Sequence, residues 1–562
     1  MQTTGRMARK ALYIAGSLLI LAGGASLLLR AEIAEVLESR RALGEAFGPE
    51  KLFFLVVWTS RFVMLAGFFL LWGSRLAVFL ADASIHTRHL LAEPGSLRVL
   101  LLLVSYFLLV GAYTSQYGFY NLPAWLFVVT SLTLVAYLQV FSSPRALPPG
   151  PAAGQPVGEP VAASRLLGPL VVLEAFVFLV YSGGVYQTRQ AFIVLVHAVN
   201  LISFLVTLPY MSVRSARGWG VGGRGPGPSR IWDRSHFVVL LACAFCARIF
   251  MILSSPDPQI DVFFVMQQAA QGLLEGKNPY SMVFGPSWYG KSTIAYLPAT
   301  IYLAVPARLL LGDVRYTYAV GDLIVAIVLY AMAKQRSART GEGRRQARCL
   351  ALLYLFNPMA LFILEQSWTD TAVIAVLFLV WFVWFRLHKP VPAAILLGIA
   401  LVTKQYVVLV LPFLWRHPRV RPAHLGGAML TAALLGLPLA LWNLKDFIED
   451  VLLYLVRMEP KPESLNLFSF VYHAAGARLP AAVALLLVPL GALLFFRQFP
   501  SVASLTGSCT VILFLFFFLI KQASLNYLYT ASSYMLLWLA TVIAGPCVRS
   551  SGLQVDAKGV FD

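Results

Sequence analysis

Between Ala11 and Ile543 the chain is largely a succession of apolar runs, each close to the about 20 residues that a helix needs to cross a lipid hydrocarbon core. Backbone in lipid has no water to bond, so runs of this kind fold as helices packed side by side. Hydrophobic residues make up 59% of the chain and charged residues 12%, with a mean hydropathy of +0.75, values that exclude an ordinary soluble domain. The sequence therefore predicts an all-α polytopic membrane protein with about sixteen transmembrane segments.

The first run, from Ala11 to Leu29, follows Arg6, Arg9 and Lys10 and has no small-residue cleavage site behind it, which reads as an uncleaved signal anchor with a cytoplasmic N-terminus. The formal net charge of +19 sits mostly in short loops between runs. The bias of basic residues toward cytoplasmic loops accounts for it, and nucleic acid is not implied. The five cysteines lie in apolar runs or at their ends, so Cys243 and Cys246 read as helix packing, and no disulfide framework or zinc site follows.

Six runs fill residues 1–213, and a Gly/Pro/Arg linker at 214–235 separates this N-terminal six-span module from a second part, 236–546, with a cytoplasmic tail at 547–562. Alternating sides from the N-terminus works until Lys334 to Arg348, a basic loop that would fall outside if every run before it crossed. The run YLPATIYLAVPARLLLG is interrupted by Pro298 and Pro306, so it is expected to lie along the outer interface or to re-enter rather than cross. Likewise 406–415 is too short to span alone and reads as half of a broken hairpin.

This arrangement gathers polar residues at the outer ends of spans: Asp257 and Asp261 in SSPDPQIDVFF, Glu365, Gln366 and Asp370 in LEQSWTD, Lys404 and Gln405 in VTKQY, and Lys521, Gln522 and Asn526 in IKQASLNY. Ionisable groups beside apolar spans are costly, so several on one side point to a shared polar cavity. Each also has a structural reading. Asp257 before Pro258 fits a helix N-cap, with Asp261 in the first turn where the helix dipole favours a negative charge. Lys404 and Lys521 fit snorkelling side chains, and Glu365 and Asp370 fit loop residues. Arg248, inside a span, requires a carboxylate or a lipid phosphate as partner, and Arg315 is a further outer-side cation.

In order, an Arg-bearing span, PDPQIDVFF, QQAAQGLLEGKNPY, YLPATIYLAVPARLLLGDVRY, NPMALFILEQSWTD and GIALVTKQYVVLVLPFLW resemble the membrane glycosyltransferases of the GT-C superfamily, closest to the family 87 type that uses polyprenyl-phosphate mannose. The likeness covers about 236–546. It implies a GT-C-like helical core with outer juxtamembrane helices, and transfer of a sugar outside the cytoplasm, with inversion, from a polyprenyl-phosphate donor to a lipid or glycan acceptor. It further implies an aspartate general base in the first outer loop, matched here by Asp261 or by Asp257. Lys404, then Lys521, Arg315 and Arg248, are the candidates for the donor phosphate, and Glu365, Gln366, Asp370, Gln405, Gln522 and Asn526 for the remaining substrate contacts. The scheme requires no metal or other cofactor, and the resemblance makes mannose the default sugar. A bacterial plasma membrane fits the chain, with the site on the extracytoplasmic face and both termini in the cytoplasm. Two other classes remain open: a transporter or flippase for a lipid-linked saccharide, and a non-catalytic scaffold of the same fold that binds one.

Overall fold

A computed structural model describes residues 94–141, 166–181, 183–211, 228–284, 293–334, 341–480, 482–495 and 501–544. The first two expected spans, of which the signal anchor is the first, the 144–164 loop, most of the 214–235 linker and the C-terminal tail lie outside these residues. Among the described residues eight helices are long and apolar enough to cross a membrane, and the chain is a multi-pass membrane protein.

The N-terminal part contributes α1 (Pro94–Thr114), α2 (Leu122–Phe141), α3 (Leu167–Tyr181) and α4 (Gln190–Thr207). After the linker come α5 (Pro228–Ser254), α6 (Asp261–Leu274), α7 (Pro298–Leu311), α8 (Arg315–Ala333), α9 (Gly341–Leu355), α10 (Ala360–Glu365), α11 (Asp370–Trp381) and α12 (Pro390–Leu401). A 3-10 segment, Gln405–Val410, leads into α13 (Leu411–Trp415), followed by α14 (Pro422–Trp442), α15 (Leu444–Ile448), α16 (Tyr454–Arg457), α17 (Leu467–Ala475), α18 (Ala482–Phe495), α19 (Val502–Leu519) and α20 (Leu525–Ala544).

One apolar core runs from Val99 in α1 to Ile543 in α20. Helices from both sides of the linker build it: α1 packs on α20, α2 on α19, α3 on α9 and α4 on α5. Helix α20 is the most buried of the long helices. Its serine and threonine hydroxyls turn back to its own carbonyls, as Thr530 to Asn526 and Ser533 to Tyr529, which satisfies them without water. Close approach fixes α12 against α14. A Cβ at Gly398 would stand 2.5 Å from the Ala428 carbonyl oxygen and 2.5 Å from Thr431 Cβ. Gly398→Ala is therefore expected to destabilise the fold by about 1–3 kcal/mol, seen as a lower unfolding temperature of the purified protein.

Loops join into two layers, one at each end of the bundle. At one end the 183–189 loop bonds to Ser254, Leu297 and Ala299 bond to Thr403 and Val402, Lys461 bonds to Lys521, and Tyr120 bonds to Glu463. At the other, Arg345 donates to the Tyr210 carbonyl and Arg386 to that of Lys334, while Arg419 meets His388. Helix α7 begins and ends in the first layer: the Ala299 amide donates to Val402, and just past its far end Arg315 donates to the Ser255 carbonyl at 2.7 Å. Its 14 residues span about 21 Å, short of a hydrocarbon core of about 30 Å. Gly312, with φ of 75°, takes the left-handed turn that ends it. Helices α6 and α7 pack on each other as a pair over that end of the bundle.

Candidate functional site

The stretch SSPDPQIDVFF departs from the capping expectation. Pro256 and Pro258 resist continuation of a helix, and the Ile260 amide bonds to the Pro258 carbonyl in a tight three-residue turn. Helix α6 starts at Asp261, three residues later than a cap at Asp257 would require, and its N-cap is Ile260. Asp257 caps nothing: its carboxylate accepts from Gln259 Nε2 at 2.9 Å. Asp261 is exposed on the first turn, with one oxygen accepting from the Val262 amide at 2.8 Å.

Lys404 stands where α12 breaks. Freed from the helix, the Thr403 carbonyl accepts from Thr300 Oγ1 at 2.7 Å and the Val402 carbonyl from the Ala299 amide at 2.8 Å, so the start of α7 holds the break open. The backbone of Lys404 is extended, and its side chain reaches Asp370 with Nζ to Oδ2 at 2.7 Å. Asp370 opens α11 after a turn in which Ser367 adopts a left-handed φ of 58°, a strained value for a non-glycine residue. The same carboxylate accepts from Tyr406 Oη at 3.0 Å and from Asn526 Nδ2. Both charges are removed from solvent, Lys404 being 5% exposed and Asp370 0%.

Three aromatic rings surround the ammonium: Tyr527 at 5.2 Å, Tyr296 at 5.6 Å and Tyr406 at 5.9 Å. Tyr296 links this pair to the exposed aspartate. Burial pushes its phenol well above the usual range, and the negative charges of Asp261 and then Asp370 push the same way. Its backbone carbonyl is fixed by Tyr280 Oη at 2.8 Å. The groups that sense one another here are an exposed carboxylate, a phenol and a buried lysine–aspartate pair.

The other residues singled out in the sequence divide. Glu365 is fully buried and engaged by backbone, accepting from the Val185 amide at 2.6 Å and the Tyr186 amide at 2.9 Å. Burial raises its pKa, and those two amides pull it back down. Gln366 is buried at the end of α10. Arg315 is fully buried with Nη2 on Asp313 at 2.6 Å, while its Nη1 has no partner among the described residues. Gln405 ties the break to the Ala295 carbonyl at 2.9 Å and the Val451 carbonyl at 3.2 Å. Lys521 donates to the Val456 carbonyl at 2.6 Å and the Met458 carbonyl at 2.9 Å, and Gln522 to that of Glu459 at 2.6 Å.

Arg248 lies apart, inside the bundle. Its Nε bonds to Asp322 at 2.5 Å, and its remaining nitrogens to the Ala244 and Leu355 carbonyls, so its partner is a carboxylate. Tyr354 donates to the other Asp322 oxygen at 2.6 Å. Sequence reasoning missed Asp322, Tyr296, Tyr406 and Tyr527. An aspartate inside the α8 run was the available signal for the first; a tyrosine in a membrane protein gives none. Among the described residues no three His, Cys, Asp or Glu side chains are grouped to hold a metal ion.

Chemically, Asp261 is an exposed carboxylate able to accept a proton from a hydroxyl, and the charges of the buried Lys404–Asp370 pair cancel each other. Comparison with known proteins gives one similarity: the sequence profile of the family described as GPI transamidase subunit PIG-U matches residues 283–441. That stretch runs from before α7 almost to the end of α14. It contains Tyr296, Arg315, Glu365, Asp370 and Lys404, and starts after Asp257 and Asp261. No curated protein and no solved structure matches the chain.

Proposed function

We propose that the chain is a glycosyltransferase that moves a sugar, mannose by the family default, from a polyprenyl-phosphate donor to an acceptor hydroxyl on a lipid or glycan. The observation that carries this reading is an exposed carboxylate, Asp261, whose charge reaches Tyr296, the ring of which stands 5.6 Å from the ammonium of the buried Lys404–Asp370 pair at one end of a membrane bundle. In the reaction the acceptor oxygen attacks the anomeric carbon from the face opposite the phosphate, and its proton passes to an Asp261 oxygen. The bond from the anomeric carbon to the phosphate oxygen breaks, and its electron pair leaves with the lipid phosphate. A hydroxyl is a poor nucleophile, and a positioned carboxylate base contributes about 10²- to 10⁴-fold.

The basic residues Lys334, Arg345, Arg386 and Arg419 at the opposite end of the bundle favour a cytoplasmic location for that end, and so an extracytoplasmic site. This orientation suits a bacterial plasma membrane.

A second reading is favoured by the PIG-U similarity, since that family is described as a subunit of a GPI transamidase. In it the chain binds a lipid-linked saccharide without turning it over, and the Lys404–Asp370 pair, which the matched residues contain, is the part retained. Mass spectrometry of lipid-linked glycans from cells lacking the protein separates the two readings once the cells are complemented. Transfer predicts an acceptor that lacks one sugar and is restored by wild-type protein but not by Asp261→Asn. Restoration by both proteins contradicts the transferase.

A further inference from the structure

The phosphate of a lipid-linked donor needs a cation at the Asp261 end of the bundle, and several cations there are already engaged, although exposed Arg457 and Lys461 have no side-chain partner among the described residues. Lys404 and Arg315 hold Asp370 and Asp313, Lys277 holds Glu275, Arg478 holds Glu459, and Lys521 donates to two carbonyls. Arg308 donates to Gln271 and to the Gly312 carbonyl. Arg189 differs from all of these. It is exposed, its guanidinium has no partner among the described residues, and its own amide donates to the Ser254 carbonyl at 3.1 Å, directly before Asp257 and Asp261.

Arg189 belongs to the loop between α3 and α4, in the N-terminal part, and that loop is clasped rather than loose. The Val185 and Tyr186 amides seat on Glu365, Gln187 donates to Ser254 Oγ at 3.1 Å, and Thr188 to the Ser254 carbonyl at 2.8 Å. Contact with Glu365 is close enough that a Cβ on Gly184 would stand 2.2 Å from Glu365 Oε1. On the other flank of the same turn, Arg315 donates to the Ile252 and Ser255 carbonyls and keeps its fully buried Nη1 unpartnered.

We infer that the 183–189 loop completes the donor site, with Arg189 beside the Ser254–Ser255 turn as the contact for the phosphate of a polyprenyl lipid and the buried, unpartnered nitrogen of Arg315 on the other flank of the turn. Glu365 acts as a positioning residue that holds the loop in place. The inference rests on the transferase reading for its choice of lipid. It gives the N-terminal helices a direct part in substrate binding.

Native mass spectrometry of the full purified chain tests the seat without requiring turnover, using polyprenyl phosphate and phosphatidylglycerol as probes. Arg189→Ala is expected to weaken polyprenyl phosphate about tenfold or more, the scale of a lost charge-assisted hydrogen bond, with phosphatidylglycerol little changed and Arg189→Lys partly restoring the affinity. Glu365→Gln is expected to weaken the same lipid, and the Arg189→Ala, Glu365→Gln pair to weaken it no further than Arg189→Ala alone, because both act through one side chain. In transfer assays the Glu365→Gln protein is expected to show a larger rise in donor KM than fall in kcat. Unchanged binding by Arg189→Ala overturns the inference, and so does equal weakening of both lipids, which would make Arg189 a general headgroup contact. Selective loss of binding in a protein that transfers no sugar would leave the seat standing and remove the transferase reading.

Discussion

Asp261→Asn is expected to lower sugar transfer by about 10²- to 10⁴-fold, the contribution of a positioned general base, while the protein folds and still binds its donor. The side chain keeps its shape and an amide oxygen able to accept from the Val262 amide, so α6 should start where it does in the wild type. What is lost is the proton acceptor. Asp257→Asn serves as the control, because Asp257 caps no helix and is bonded to Gln259 in the preceding turn. It is expected to retain most transfer. Assays of the two purified variants with one donor and one acceptor preparation check this directly, and equal, near wild-type rates for both would remove the carboxylate mechanism.

The second large effect concerns the pair beneath. Asp370→Ala leaves the Lys404 ammonium buried without its counter-charge, and breaking a buried pair by removing one partner costs about 3–5 kcal/mol. Tyr406 and Asn526 lose their acceptor in the same step. A large drop in thermal unfolding temperature is expected, with loss of transfer. Replacing both partners, Lys404→Met with Asp370→Leu, removes both charges and is expected to recover much of the stability, since two well-packed apolar side chains replace a desolvated pair. Transfer should stay absent, because the ammonium that faces the Tyr296 ring at 5.6 Å is gone. Melting curves of the single and double variants in detergent, read beside transfer rates, separate the structural part from the functional part.

Much of the bundle is legible from hydropathy alone because lipid-length apolar runs have few alternatives to helix. The start of α7 is legible too, since Pro298 opens it, and both of its ends lie in the same layer; the expected break at Pro306 does not occur, because that proline sits inside the continuous helix. Legibility fails where partners are distant in sequence. Asp370 and Lys404 each read as an isolated charge at the end of a run, and only packing makes them a pair with Asn526. The start of α6 was misjudged because Pro258 can open a helix, yet with Pro256 it forms a tight turn instead. Arg189 lies in a part of the chain with no family resemblance, and its role depends on a loop held by Glu365.

Purified wild-type protein is reconstituted in lipid, supplied with polyprenyl-phosphate mannose and a membrane extract containing acceptors, and free polyprenyl phosphate is followed by mass spectrometry. The transferase account predicts that free polyprenyl phosphate accumulates over many turnovers in the presence of acceptor, and that Asp261→Asn abolishes this. Donor that binds but is recovered intact, with wild-type protein and acceptor both present, would contradict it.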